Sequence, residues 1–304
     1  MNKRQLGNSN LYVSEIGLGC MSLGTDEQQA IRIIHEALEQ EINFLDTADL
    51  YNYGQNEEFV GKALKGKRDE IILTTKVGNR WTEEQNGWTW DPSKTYIKTA
   101  VKNSLRRLQT DYIDLYQLHG GTIEDNIDET IEAFEELKQE GIIRYYGISS
   151  IRPNVIKQYA ERSNIVSVLM EYSILNRRPE EWFPLLQNHN ISVIARGPLA
   201  KGLLTGNNKR KLDKAKEKDY LSYQYDELVQ TLTAIQETTN KRSLTETAIQ
   251  YALHTDVVAA VIPGASSIIQ LHENTNAGKA VSLTAQEYEQ IQAVVKHDQY
   301  DLHR

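Results

Sequence analysis

The sequence predicts an α/β fold: a (β/α)8 (TIM) barrel with a short N-terminal hairpin ahead of it and a C-terminal helix after it. Two observations predict it. Eight short apolar runs recur along the chain, each followed by helix-forming sequence, which is the pattern of a parallel sheet closed by crossover helices. No internal repeat and no Pro/Gly/Ser-rich linker interrupts the alternation, so residues 1–304 read as one domain. An open doubly wound sheet is the weaker alternative. Its first strand would lead into Gly17-Leu18-Gly19-Cys20-Met21-Ser22, which lacks the full G-x-G-x-x-G fingerprint.

Turn residues between short apolar runs in Leu6-Gly7-Asn8-Ser9-Asn10-Leu11-Tyr12-Val13 predict the hairpin. The first strand spans 16–20. Thr25 and Gln28 then make a capping box ahead of Ala30, Ile33, Ile34, Ala37 and Leu38 at helical spacing. Strand two, 42–46, precedes a helix near 57–64, and strand three is 71–76. Asp91-Pro92 supplies a cap and first-turn proline for a helix whose Ile97, Val101, Leu105 and Leu108 step along one face. Strand four, 112–118, runs out at His119. Ile127, Ile131 and Phe134 mark the next helix, stopped by Gly141. Strands five to eight are 142–148, 165–170, 191–195 and 257–262. Ser243 with Glu246 caps the helix bearing Ala248, Ile249 and Ala252. Thr284 with Glu287 opens the C-terminal helix through Ile291, Val294 and Val295.

Composition narrows the function. Hydrophobic residues make up 39% and charged residues 25%, and no apolar run approaches the ~20 residues of a membrane helix. The first residues lack the apolar core of a secretory signal, so a cytoplasmic location is expected. A net charge of −8 disfavours nucleic acid or an anionic membrane as partner. The single cysteine, Cys20, excludes an intramolecular disulfide and a cysteine metal cluster, and reads as a small buried residue closing a strand.

Chemistry collects at strand ends. Phe44-Leu45-Asp46 runs into a carboxylate with Tyr51 five residues on, the third strand ends in Lys76, and the fourth delivers His119. In a parallel barrel all strand C-termini converge on one face, so these four side chains gather around one cavity. A buried carboxylate there needs a cation, and a tyrosine becomes a useful acid when a neighbouring charge lowers its pKa from about 10. Lys76 meets both needs. The insertion 77–91 carries Trp81, Trp88 and Trp90, which in a polar loop are expected to wall a substrate pocket. Six lysines and arginines crowd 207–220, a solvated connection on one reading and a lid over a phosphate-bearing cofactor on the other.

At these residues the chain resembles the aldo-keto reductases over nearly its whole length. The resemblance rests on Gly17-Leu18-Gly19, Phe44-Leu45-Asp46-Thr47-Ala48, Thr75-Lys76-Val77-Gly78, Asp114-Leu115-Tyr116-Gln117-Leu118-His119 and Gly141-Ile142-Ile143-Arg144-Tyr145-Tyr146-Gly147-Ile148-Ser149. It continues through Pro198-Leu199-Ala200-Lys201-Gly202-Leu203-Leu204-Thr205-Gly206 and Val261-Ile262-Pro263-Gly264-Ala265. It implies hydride transfer from a reduced nicotinamide cofactor, NADPH with NADH possible, to a small-molecule aldehyde or ketone. The family's tetrad is matched by Asp46, Tyr51, Lys76 and His119, with Tyr51 as general acid.

The resemblance also implies a cofactor path. Gly19, Cys20, Met21 and Asp46 border the nicotinamide, Ser149 and Ser150 match its carboxamide site, and Leu169 stands where relatives often carry a glutamine. Arg196 replaces an aromatic that many relatives stack on the ring, and its planar guanidinium suits the same place. Gly197, Pro198, Leu199, Lys201 and Gly202 match the pyrophosphate loop. Gly264, Ser266, Gln270, Glu273 and Asn274 match the adenine end. Two rival functions stay open: a Schiff-base lyase through Lys76, and a non-catalytic nicotinamide-binding sensor or channel-associated subunit on the same fold. Oligomeric state has no signal in the sequence.

Overall fold

A computed structural model describes residues 1–82, 84–239 and 242–304. The barrel strands are β1 (Leu18–Gly19), β2 (Phe44–Asp46), β3 (Ile72–Val77), β4 (Ile113–Leu118), β5 (Ile143–Ser149), β6 (Ser167–Glu171), β7 (Ser192–Arg196) and β8 (Val258–Ile262). They lie side by side in chain order, all parallel. Bridges from Ile16 to Val261 and from Gly19 to Gly264 join the first strand to the last and close the barrel. Every edge is thereby removed.

The helices are α1 (Glu27–Glu39), α2 (Gln55–Ala63), α3 (Lys94–Leu108), α4 (Ile127–Gln139), α5 (Pro153–Arg162), α6 (Phe183–Asn188), α7 (Lys209–Ala215), α8 (Tyr225–Thr238), α9 (Leu244–Leu253), α10 (Ile268–Lys279) and α11 (Ala285–Val294). Those following a strand pack an apolar stripe onto the barrel: in α1 it is Ala30, Ile33, Ile34 and Ala37, all buried. Fully burying an isoleucine contributes about 1.5–3 kcal/mol, so such stripes hold the outer layer in place. Among the described residues no helix is long and apolar enough to cross a membrane.

Inside the barrel a smaller core gathers Phe44, Leu115, Leu169, Ile194, Ala260 and Ile262. Its lower end is plugged by Leu6, Leu11 and Val13 of the hairpin formed by Lys3–Gln5 and Tyr12–Ser14. The plug fits closely at Gly7. There φ is +53°, and a Cβ would fall 2.1 Å from the Val166 carbonyl oxygen, so only glycine serves. With the N-terminal end sealed, the C-terminal mouth is where chemistry can happen.

Two predicted caps are corrected. The side chain capping α1 is Asp26, which accepts from the Gln29 amide, in place of Thr25 with Gln28. Both residue types cap well, and the carboxylate adds a favourable charge at the helix N-terminus. The cap of α3 is Ser93, because Asp91 instead folds its carboxylate onto the Ser93 amide and hydroxyl. The boxes at Ser243/Glu246 and Thr284/Glu287 form as predicted. The basic stretch after β7 folds in part into the short helix α7, largely exposed.

Candidate active site

Three adjacent strands bring polar ends together. Side chains alternate across a strand, so Asp46, Lys76 and Gln117 face the barrel axis at the level where the apolar interior stops. The Lys76 ammonium has three protons and three acceptors: Asp46 Oδ2 at 2.7 Å, the Thr47 carbonyl at 2.7 Å and Tyr51 Oη at 3.3 Å. Gln117 was not anticipated. Its Nε2 donates to Thr74 Oγ1 (2.9 Å) and to Asp46 Oδ1 (3.4 Å), filling the carboxylate's other side.

Tyr51 is carried by a strained turn. Asn52 and Tyr53, in the tight helical turn Tyr51–Gly54, both adopt the left-handed region, at roughly 1–2 kcal/mol each. Two anchors hold this turn. Asn52 Nδ2 donates to the Gly24 carbonyl, and the following α2 is tied down through Glu57, which accepts from Thr75 Oγ1 and Arg107 Nε. Because Lys76 donates to the phenol oxygen, the Tyr51 hydroxyl proton is left free for an acceptor in the mouth.

Electrostatics follows from burial. Burial works to lower Lys76, but the Asp46 carboxylate and the Tyr51 phenol outweigh it, so the ammonium is held charged. Burial raises the Tyr51 phenol, and Lys76 pulls it back only in part. The expectation of a net more acidic tyrosine is therefore met only relative to burial alone. Burial, reinforced by Lys76 and Arg196, lowers His119 to about 3, so its imidazole is neutral at physiological pH. The two rings meet edge to face with centroids 6.0 Å apart, and Asn79 Nδ2 holds the His119 carbonyl.

The tryptophans divide. Trp90 lies over Gly78 and Gly120, beside the strand ends that carry Lys76 and His119, with its indole N–H on Asp125. Trp81 packs by Tyr53 and under the Arg107 guanidinium. Trp88, paired with Trp81 across the two strands Asn79–Trp81 and Trp88–Trp90, is mostly exposed, and among the described residues no hydrogen bond or ring contact joins it to Tyr51 or His119.

The remaining candidates form a rim. Gly19 ends β1, Met21 is exposed beside it, and the buried Cys20 thiol turns onto the Leu18 carbonyl. Burial, with the Asp46 carboxylate adding to it, pushes that thiol far up and makes it inert. Ser149 ends β5 and the buried Ser150 follows it, while Leu169, the register partner of Ser149 on β6, belongs to the apolar interior. Arg196 at the end of β7 pairs with Glu171 at the end of β6, 3.2 Å away. Beyond it Gly197, Ala200, Lys201 and Gly202 all have positive φ, with Pro198 and Leu199 between them. At the start of α10, Ser266 bonds Gln270 through both amide and hydroxyl, Glu273 is exposed, and Asn274 Nδ2 holds the Gly264 carbonyl.

A closed eight-stranded barrel with this mouth is matched by the aldo/keto reductase family model over residues 15–296. The chain belongs to the aldo-keto reductase family. An uncharacterised oxidoreductase, YqkF of Bacillus subtilis, is 60% identical over 308 residues, covering 100% of both chains. The solved holo form of aldo-keto reductase AKR11C1 from Bacillus halodurans superposes with a TM-score of 0.96 at 63% identity, covering 100% of this chain and 99% of that one. The apo form of the same protein superposes with a TM-score of 0.88 at 60% identity, covering 100% and 99%. Family and relatives make the chain an oxidoreductase.

Proposed function

We propose that the chain transfers a hydride from NADPH, and less readily from NADH, to the carbonyl of a small aldehyde or ketone, with Tyr51 as proton donor. One observation carries the reading: Lys76 donates to the phenol oxygen while Asp46 and Thr47 take its other protons, so the tyrosine's own proton is not spent on Lys76. Hydride arriving at a carbonyl carbon leaves charge on oxygen, which Tyr51 neutralises and Lys76 stabilises through it. Neutral His119 orients that oxygen by a hydrogen bond without competing as an acid. Trp90 walls the substrate side beside the strand ends that carry Lys76 and His119, Trp81 packs by Tyr53 next to the Tyr51 turn, and Trp88, mostly exposed, takes no part.

The donor set fits a dinucleotide. Ser149 and Ser150 offer hydroxyls at the nicotinamide end, Leu169 offers none, and Arg196 offers a flat cation. The loop 197–202 and the N-terminus of α10 offer backbone amides for phosphate, apart from those of Ala200 and Gly202, which bond the Gly197 and Leu199 carbonyls. When bound, the cofactor supplies the hydride. The test is a panel of aldehydes, quinones and ketones, followed by loss of reduced-nicotinamide absorbance. Binding without turnover on any carbonyl would instead favour a non-catalytic subunit, and no nucleotide binding would overturn the reading.

Cofactor preference should be modest. Around the start of α10 the candidate partners of a 2′-phosphate are Gly264, Ser266, Ser267 and Gln270, with no cation among them. Hydroxyls and amides contribute less than the about 1.5–3 kcal/mol of a charge-assisted pair. NADPH is expected to win by a small margin in steady-state kinetics, and Ser266→Arg to widen it. A clear preference for NADH would show that the phosphate lies elsewhere.

The basic helix α7 is expected to close over the phosphates and slow release. Its side chains are mostly exposed. Saturating cofactor should therefore protect 207–220 from limited proteolysis, and equal cleavage with and without cofactor would reduce the segment to a solvated connection.

A further inference from the structure

Two strand ends place a charge pair at the mouth that the tetrad does not use. Glu171 and Arg196 are cross-strand partners, the last residues of β6 and β7. A single contact, Nη1 to Oε2 at 3.2 Å, joins them, and the side chains retain 23% and 43% exposure. Glu171 meets no other cation within ion-pair distance among the described residues; the nearby Arg178 bonds Asn176 and covers Tyr300 instead. The guanidinium is close enough for its charge to act on Asp46, Tyr51 and His119. Two ion pairs thus stand at the mouth, Lys76 with Asp46 and Arg196 with Glu171, and the buried Asp49 carboxyl lies within reach of the Lys76 charge.

We propose that Glu171 is a positioning residue for the nicotinamide end of the cofactor: a fixed counter-charge that holds Arg196 at the rim and lets the site tolerate the positively charged oxidised ring. The proposal rests on the cofactor reading given above. Lys76 is buried and paired with Asp46, whereas Arg196 and Glu171 stand part-exposed at the rim, so the second pair adds a field of its own to that of Lys76. With Glu171 present, part of the guanidinium's charge is offset at the rim, while the remainder still reaches Asp46, Tyr51 and His119. Without it, an uncompensated guanidinium faces a ring that is neutral when reduced and positive when oxidised, and only the oxidised form is repelled. The single half-exposed contact suits this role, since it fixes the guanidinium without the desolvation that a buried bidentate pair requires.

The experiment is isothermal titration calorimetry of the full chain with NADP+ and with NADPH, which reads affinity without turnover. Glu171→Gln should raise the ratio of the two dissociation constants, oxidised over reduced, by about threefold to tenfold, the size of a partly screened unit charge several ångströms away. Arg196→Gln should move the ratio the other way. The double variant should return near the unmodified value, and Glu171→Asp, which keeps the charge, should stay close to it. A merely structural role predicts equal weakening for both nucleotides and no opposition of sign. An unmoved ratio in folded Glu171→Gln, or a shift in the same direction for both single variants, overturns the proposal alone. Failure of the unmodified chain to bind either nucleotide overturns it together with the functional reading.

Discussion

Replacing Tyr51 by Phe should lower turnover by roughly 10²–10⁴-fold, the usual contribution of a positioned general acid. Fold and cofactor affinity should stay near normal. Lys76 keeps its two shorter bonds, to Asp46 and Thr47, and loses only the 3.3 Å contact to the phenol. The phenylalanine ring fills the same place against His119, so the edge-to-face packing survives. What goes is the phenol proton that Lys76 leaves free for an acceptor. Rate constants for carbonyl reduction, measured beside the melting temperature and the cofactor dissociation constant, separate the two effects. Turnover equal to that of the unmodified chain would remove Tyr51 from its role and leave the lysine pair as architecture.

The four candidate residues were legible in the sequence because topology alone brings strand ends together. Asp46, Lys76 and His119 each terminate an apolar run, and parallel order then puts them on one face. Gln117 carried a weaker signal: it stands two residues before His119 on β4, so period-two alternation aims it at the same axis as Lys76, its register partner. Glu171 escaped notice for a different reason. It lies one residue past the predicted end of strand six, and only the observed register shows that it faces Arg196. Cap identities at Thr25 and Asp91 were misplaced because several good capping residues stood within two positions of each other, and side-chain geometry decides among them. The net acidity of Tyr51 was also out of reach, since it depends on how far burial outweighs Lys76.

Lys76→Met should abolish activity and also cost stability, and the second effect tests the burial argument by itself. Asp46 is 3% exposed, and Lys76 is its only ion-pair partner among the described residues. Removing one member of a buried pair commonly costs about 3–5 kcal/mol, a fall in melting temperature on the order of 10 °C for a chain of this size. The abandoned carboxyl has one escape, which is to take up a proton. Burial already raises Asp46 with the lysine in place, and without that cation it must rise further. A carboxyl whose folded pKa lies above its unfolded value binds more protons folded than unfolded, so the variant gains stability as pH falls through the folded pKa and loses it as pH rises. The deficit relative to the unmodified chain should therefore be larger at pH 8 than at pH 5, read by thermal melts at both. Gln117 remains within 3.4 Å of the other carboxylate oxygen and softens the loss without replacing the charge. An unchanged melting temperature at pH 8 would mean that Asp46 is held by something other than Lys76, and the field assigned to Tyr51 would have to be rebuilt on that partner.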